Sequence, residues 1–408
     1  MDLLRVNTRR FGLSEWLIAT LSVLTLAAFF GTWWNTLGYL WDISVYQRAA
    51  SDYSHGIDAY RRDVQFPFVY HPLVLRALAG LQAILPLKVL FPVLTLAVIA
   101  WLFVELMRAS RKPPAGPEAL DTGVIEPARA GLALLAAAGF GGLGIPALMS
   151  GNLSPMMHFA LLAAFLRGRS AADALSRYLP YGLILLFALV KPYMLIYLAL
   201  PVLLYERRVM ALTCCAAVVG LFALTWLSFK AHWPAEYASF MGNLSWHVLG
   251  KGDIGYSFFY VFSYLTHKLP LALVLHAVIS LLLIALVPLL FAQKYGRQRP
   301  FVPQLMLLYL ALTVANPRMK EYDLFPALAG FFAVLGLISK RAVGITLAGL
   351  VVASVPVFVG FMAPATIRNY PMLLDPFGNW QIAALALMAI LFLVEMQDTQ
   401  PAPASVAQ

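Results

Sequence analysis

Charge is scarce in this sequence. Asp, Glu, Lys and Arg make up 12% of its 408 residues, about half the share of a soluble domain. Acids are the scarcer sign, 19 against 29 basic residues. So few charges cannot cover a water-facing surface, which excludes an ordinary soluble enzyme. Cysteine is nearly missing too. Cys214 and Cys215 are adjacent inside an apolar run, where they read as small packing residues. No CxxC or His/Cys ligand spacing is present. Internal repeats, a soluble domain and low-complexity stretches beyond a short tail are also lacking.

What remains is apolar. The chain is 61% hydrophobic with a mean hydropathy of +0.79. Runs near the roughly 20 residues of a bilayer span recur from end to end. This predicts an all-α, polytopic membrane protein with about twelve passes. The net charge of +10 then reports topology, not nucleic acid, because Lys and Arg collect on the cytoplasmic side.

Arg5, Arg9 and Arg10 place the N-terminus inside. An uncleaved first span over 14–34 ends on Trp33 and Trp34. Further spans are expected at 87–107, 130–149, a fourth returning to Arg167 and Arg169, then 210–229, 270–293, 301–315, 323–339, 342–363 and 380–396. The run from Tyr178 to Arg208 is broken by Lys191-Pro192 and reads as two short helices, 178–190 and 193–206, with the apex outside or within the membrane. Basic residues mark almost every inner loop, including the flexible segment after Lys112. One transmembrane domain thus spans 1–396, with an outer loop at 35–86 and a disordered cytoplasmic tail at 397–408.

The outer charges oppose the positive-inside rule, and polar groups at a membrane boundary are kept mainly for a partner or a ligand. They are Lys191, Lys230, Lys251, Lys268, Arg318, Lys320 and Arg368, with Glu236, Asp253, Glu321, Asp323 and Asp375. The densest group is "DISVYQRAASDYSHGIDAYRRDVQFPFVYHPL", residues 42–73. Its first part predicts a short helix. "FPFVYHPLVLRALAGLQAIL" predicts an apolar helix lying along the interface.

This loop resembles the first outer loop of the GT-C glycosyltransferases, most closely the polyprenyl-phosphate-mannose-dependent α-mannosyltransferases of the phosphatidylinositol-mannoside type. The matching elements are Asp42, Val45-Tyr46, Gly56, Tyr60 and Tyr70-His71-Pro72, followed in order by "GNLSP", "LVKPY" and "NPRMKEYD". Gly56 is followed by Ile57-Asp58-Ala59-Tyr60 where the family has Asn-Pro-Tyr, and the Trp/His form of the last motif is absent. The resemblance implies a bacterial plasma-membrane enzyme with its site on the outer face and both termini inside. It would move a sugar, most often mannose, from a polyprenyl-phosphate donor to a lipid or glycan acceptor hydroxyl, with inversion. Nucleic acid is not a partner.

By resemblance Asp42 is the general base; its other reading is a helix N-cap. Lys191 would contact the donor phosphate or snorkel to the interface. Arg318 and Lys320 would hold the phosphate or sit in a solvated turn. Glu321 and Asp323 would pair with those cations or touch sugar hydroxyls. Tyr46 and Tyr193, by their places in the motifs, join the sugar or acceptor contacts. His71 is a sugar contact or a structural hydrogen bond, and Tyr70 reads as an interfacial tyrosine. Asn152, Asn243, Trp246 and His247 suit a sugar-lined pocket. Asp58 and Asp63 beside Arg61 and Arg62 read as a solvated cluster. His276 reads as a hydrogen-bonded core histidine. No cofactor is implied; a divalent metal held by Asp42, Asp52 and Asp58 lacks a defining spacing. A transporter or flippase, an oligosaccharide polymerase or ligase, and a non-enzymatic assembly subunit are the readings outside this class.

Overall fold

The structure, a computed structural model, describes residues 11–34, 39–62, 64, 66–111, 125–170, 173–205, 207–247, 255–296, 300–364 and 379–398. The expectations for Arg5, Arg9, Arg10, Asp63, Lys112 and the segment after it to 124, Lys251, Asp253, Arg297, Arg299, Arg368, Asp375 and the end of the tail lie outside these residues, as do the side chains of Trp33 and Trp34.

Every regular element among the described residues is helical. A backbone surrounded by hydrocarbon must satisfy its own N–H and C=O groups, and a helix does so within one segment. The order is α1 (Leu13–Phe29), α2 (Trp41–Ser54), α3 (Pro72–Ile84), α4 (Leu87–Arg111), α5 (Pro127–Gly139), α6 (Gly144–Met149), α7 (Leu153–Ser170) and α8 (Ala174–Val190). It continues with α9 (Ala199–Leu204), α10 (Arg208–His232), α11 (Pro234–Ser245), α12 (Phe258–Thr266), α13 (Leu269–Tyr295), α14 (Phe301–Ala315), α15 (Glu321–Ile338), α16 (Ala342–Met362) and α17 (Asn379–Asp398). α1, α4, α10, α13, α15 and α16 are long and apolar enough to cross a bilayer. α3, α8, α14, α17 and the Pro192–Leu204 stretch are shorter and apolar.

Burial separates an inner group from an outer one. In α15, 72% of the most apolar stretch is buried, against 11% in α10 and α13. The outer pair therefore presents leucine and valine to its surroundings, as a lipid-facing helix does. α15 packs on α5, α7 and α14, while α7 packs on α4 and α8. Small residues set the closest approaches: a Cβ on Gly139 would stand 2.4 Å from Ser22 Cβ.

Several sequence expectations change here. The span at 130–149 is not continuous: α5 stops at Gly139, and Phe140–Gly142 forms a 3-10 turn before α6. The interfacial helix starts at Pro72, not Phe66, because Pro72 takes a first-turn position and His71 caps it. The piece expected as an α-helix over 193–206 is 3-10 through Pro192–Leu198 and α-helical only over Ala199–Leu204. His276 does serve the core: its Nε2 is 3.0 Å from the Ala315 carbonyl, one of the last-turn carbonyls that α14 cannot satisfy itself.

The segments flanking α2 and α3 are bound together. Asp58 is exposed but is more than solvated charge, since it accepts from Tyr60 N–H (2.9 Å) and from the Ser239 hydroxyl on α11 (2.6 Å). Arg61 pairs with Asp52 at 3.3 Å. Arg76 of α3 pairs with Glu236 of α11 at 2.7 Å and lies over Trp233. Tyr70 is not an interfacial anchor. It is buried, with its hydroxyl 3.1 Å from that of Tyr46 and its carbonyl accepting from the Tyr60 hydroxyl.

Candidate active site

A cavity of about 360 Å³ opens where α2, the extended stretch before α3, the turn at Asn152, the break at Lys191, the α10–α11 pair and the turn before α15 converge. It takes in Asp42, Tyr46, His71, Asn152, Lys191, Tyr193, His247, Arg318 and Lys320. Nine of the residues singled out from sequence, drawn from far-apart segments, thus line one cavity.

Asp42 is placed by the backbone. Leu40 enters α2 with φ +56°, a left-handed conformation uncommon for a branched side chain. It is held there by Leu40 N–H to Met149 O (2.9 Å) and Asp42 N–H to Ser150 O (3.0 Å). Leu40, not Asp42, is the N-cap, so the Asp42 carboxylate is not spent on capping. It accepts instead from Asn152 Nδ2 at 3.0 Å. The Asn152 amide has one possible orientation, because its Oδ1 accepts from Ser154 N–H (3.0 Å) at the start of α7. One side chain thus caps a helix and orients a carboxylate. Burial pushes the Asp42 carboxyl up to about 6, against the opposing pull of the Asn152 hydrogen bond and the charges of Lys191 and Lys320.

Gly151 makes this approach possible. Its φ is +75°, and a Cβ there would stand 2.4 Å from Ile43 Cγ1. We expect Gly151→Ala to cost about 1–3 kcal/mol. A lowered Tm of the detergent-purified protein checks this; an unchanged Tm would mean that α2 does not rest on this turn.

Lys191 ends α8 in extended conformation (φ −137°). Pro192 follows it and, lacking an N–H, cannot extend the α8 hydrogen-bond ladder. Its Nζ lies over the rings of Tyr193 (5.8 Å) and Tyr322 (5.6 Å) and 3.6 Å from Asp323 Oδ1. Asp323 itself is fully buried behind the cavity wall. Its Oδ1 also accepts from the Tyr193 hydroxyl and lies 3.3 Å from His158 Nε2; Oδ2 accepts from Lys320 N–H at 3.0 Å. His158 Nδ1 is 2.7 Å from the Tyr309 hydroxyl. Asp323 therefore holds the cationic wall in place.

The turn carrying Arg318 and Lys320 is clamped by residues 255–257. Gly255 has φ +82°, and a Cβ there would meet the Arg318 carbonyl carbon at 2.7 Å. Tyr256 N–H donates to Met319 O (2.7 Å), and the Ser257 hydroxyl to Pro317 O (2.6 Å). Lys320 Nζ lies 4.7 Å over the Tyr256 ring.

Four expected contacts do not reach the cavity: Asp323, Trp246, Asn243 and Glu321. Asn243 is buried behind it, where Nδ2 donates to Phe68 O at 2.7 Å. Glu321 is half-buried and outside the lining. His158, Tyr309 and Trp226 were missed by sequence reasoning. A histidine and a hydroxyl inside apolar spans are the signal that could have found the first two. Among the described residues no three His, Cys, Asp or Glu side chains converge as a metal would require.

A carboxylate poised near neutrality can remove a proton, and cations lining the same cavity can stabilise a departing anion. Compared with family models, with curated proteins and with solved structures, the chain matches none.

Proposed function

We propose that this chain is a membrane glycosyltransferase of the GT-C kind, moving a sugar, mannose foremost, from a polyprenyl-phosphate carrier to an acceptor hydroxyl. The observation that carries the reading is Asp42, raised to about 6 by burial, in one cavity with Lys191, Arg318 and Lys320. An acceptor hydroxyl is a weak nucleophile, and a carboxylate that takes its proton strengthens it. The acceptor oxygen bonds to the anomeric carbon as the bond from that carbon to the phosphate oxygen breaks. The electron pair leaves with the phosphate, whose charge the cations stabilise. Attack opposite the leaving group inverts the anomeric centre.

On this reading α1, α4, the α5–α6 pair, α7, α8, the Pro192–Leu204 stretch, α10 and α13 to α17 make about twelve passes. Both termini are cytoplasmic, and the cavity opens at the outer face of a bacterial plasma membrane, where Lys191 meets a lipid-anchored phosphate.

The test is incubation of the purified protein with radiolabelled polyprenyl-phosphate-mannose and membrane lipid extract. Labelled product from wild type and none from Asp42→Asn is the expected result. Failure of wild type to use any polyprenyl-phosphate sugar, with movement of labelled lipid across liposomes instead, would replace this reading with transport. The rate should also follow Asp42. Its carboxylate is the active form, so activity is full above about pH 7 and falls roughly tenfold per unit below about pH 6. A flat profile from pH 4.5 to 7.5 would remove Asp42 from the proton transfer.

A further inference from the structure

The cavity has a second wall whose chemistry is unlike the first. His71 is 1% exposed, and its Nδ1 accepts from Leu73 N–H at 3.2 Å, capping α3. That bond fixes the tautomer and leaves the ring proton on Nε2. The Nε2 atom is buried and has no hydrogen-bond partner. Trp226 Nε1, on the ring 5.1 Å from His71, is likewise buried without a partner. Both residues line the cavity, together with Phe240 and Leu244. Buried donors are nearly always satisfied, so two such N–H groups on adjacent rings call for an acceptor. Burial lowers His71 to about 4, so the ring is uncharged at neutral pH. Trp226 can only donate and carries no charge.

We propose that His71 Nε2–H and Trp226 Nε1–H form a specificity subsite that takes hydroxyl or ether oxygens of an uncharged sugar unit of the acceptor. This rests on the transferase reading and deepens it. The cationic wall suits an anionic donor. Two neutral donors beside aromatic faces suit hydroxyl and ether oxygens attached to an apolar ring face. The acceptor is then already glycosylated, and a reaction that attaches a sugar to a carrier must precede this one.

Two variants separate recognition from folding. Asn is as good an N-cap as the position needs, so His71→Asn keeps an acceptor for Leu73 N–H and removes the distant donor. Trp226→Phe keeps the aromatic packing and removes the indole N–H. With octyl α-mannoside as acceptor, each variant should raise the acceptor KM about tenfold and leave the donor KM within twofold. A raised donor KM, or an unchanged acceptor KM in both variants, overturns the subsite; the latter would mean that ordered water alone satisfies these nitrogens. If wild type transfers nothing, the transferase reading fails separately, and equilibrium binding of octyl α-mannoside decides the subsite. Binding lost in both variants upholds it; no binding by wild type, or binding unaffected by the substitutions, overturns it.

Discussion

Asp42→Asn should lower the transfer rate by about 10²–10⁴-fold, the usual contribution of a positioned general base. The amide cannot take the acceptor's proton, yet its shape fits the same site. Stability should move the other way. The folded state binds the Asp42 proton more tightly than the unfolded chain does. The carboxyl therefore supports the fold below its ordinary value of 3.8 and loses that contribution as pH rises through about 6. At neutral pH the ionised group opposes folding, and a neutral Asn relieves it. Thermal unfolding at pH 7.5 should show Asp42→Asn at least as stable as wild type. A dead variant with a lowered Tm would attribute the loss to misfolding instead.

Asp323→Ala should be among the most destabilising single changes, about 3–5 kcal/mol, because it strands buried partners. The carboxylate serves Lys191 Nζ, His158 Nε2, the Tyr193 hydroxyl and Lys320 N–H together. Lys191→Met removes one of those four, leaving three donors to satisfy the charge, and should cost less than half as much. The two losses should be less than additive in the double variant, as expected for groups in direct contact. Denaturation of the purified proteins in detergent supplies all three values. Equal losses from the two single variants would mean that Asp323 supports the fold only through Lys191. Lys191→Met should nevertheless be the more informative in assays, with its effect on the donor KM.

The sequence made the cavity wall legible for an energetic reason. Charged side chains are costly in so apolar a chain, so Asp42, Lys191, Arg318 and Lys320 stood out at once, and the structure brings them to one cavity. Amides are less informative. Asn152 and Asn243 both follow glycine in a Gly-Asn-Leu-Ser segment, but Asn152 faces the Asp42 carboxylate while Asn243 bonds a backbone carbonyl behind the wall. Nothing local distinguishes them, because the difference lies in which distant segment each meets. The buried partners His158 and Tyr309 were hidden by their surroundings: each is one polar residue in a long apolar run, and only their mutual approach gives them meaning. Helix breaks were partly readable. Lys191-Pro192 declared itself through proline, whereas the turn at Phe140–Gly142 lay within glycines that a membrane helix also tolerates.

The bonds from Leu40 and Asp42 to Met149 and Ser150 also have a mechanical consequence. They fasten α2, which carries Asp42, to the turn ahead of α7, a helix of the inner group. A helix that spans lipid adjusts its tilt to the thickness of the bilayer around it. With Asp42 tied to that interior turn, its position follows the packed helices and not the tilt of the least buried ones, α10 and α13. The distance between the Asp42 carboxylate and the cations of the same cavity should therefore change little with lipid composition.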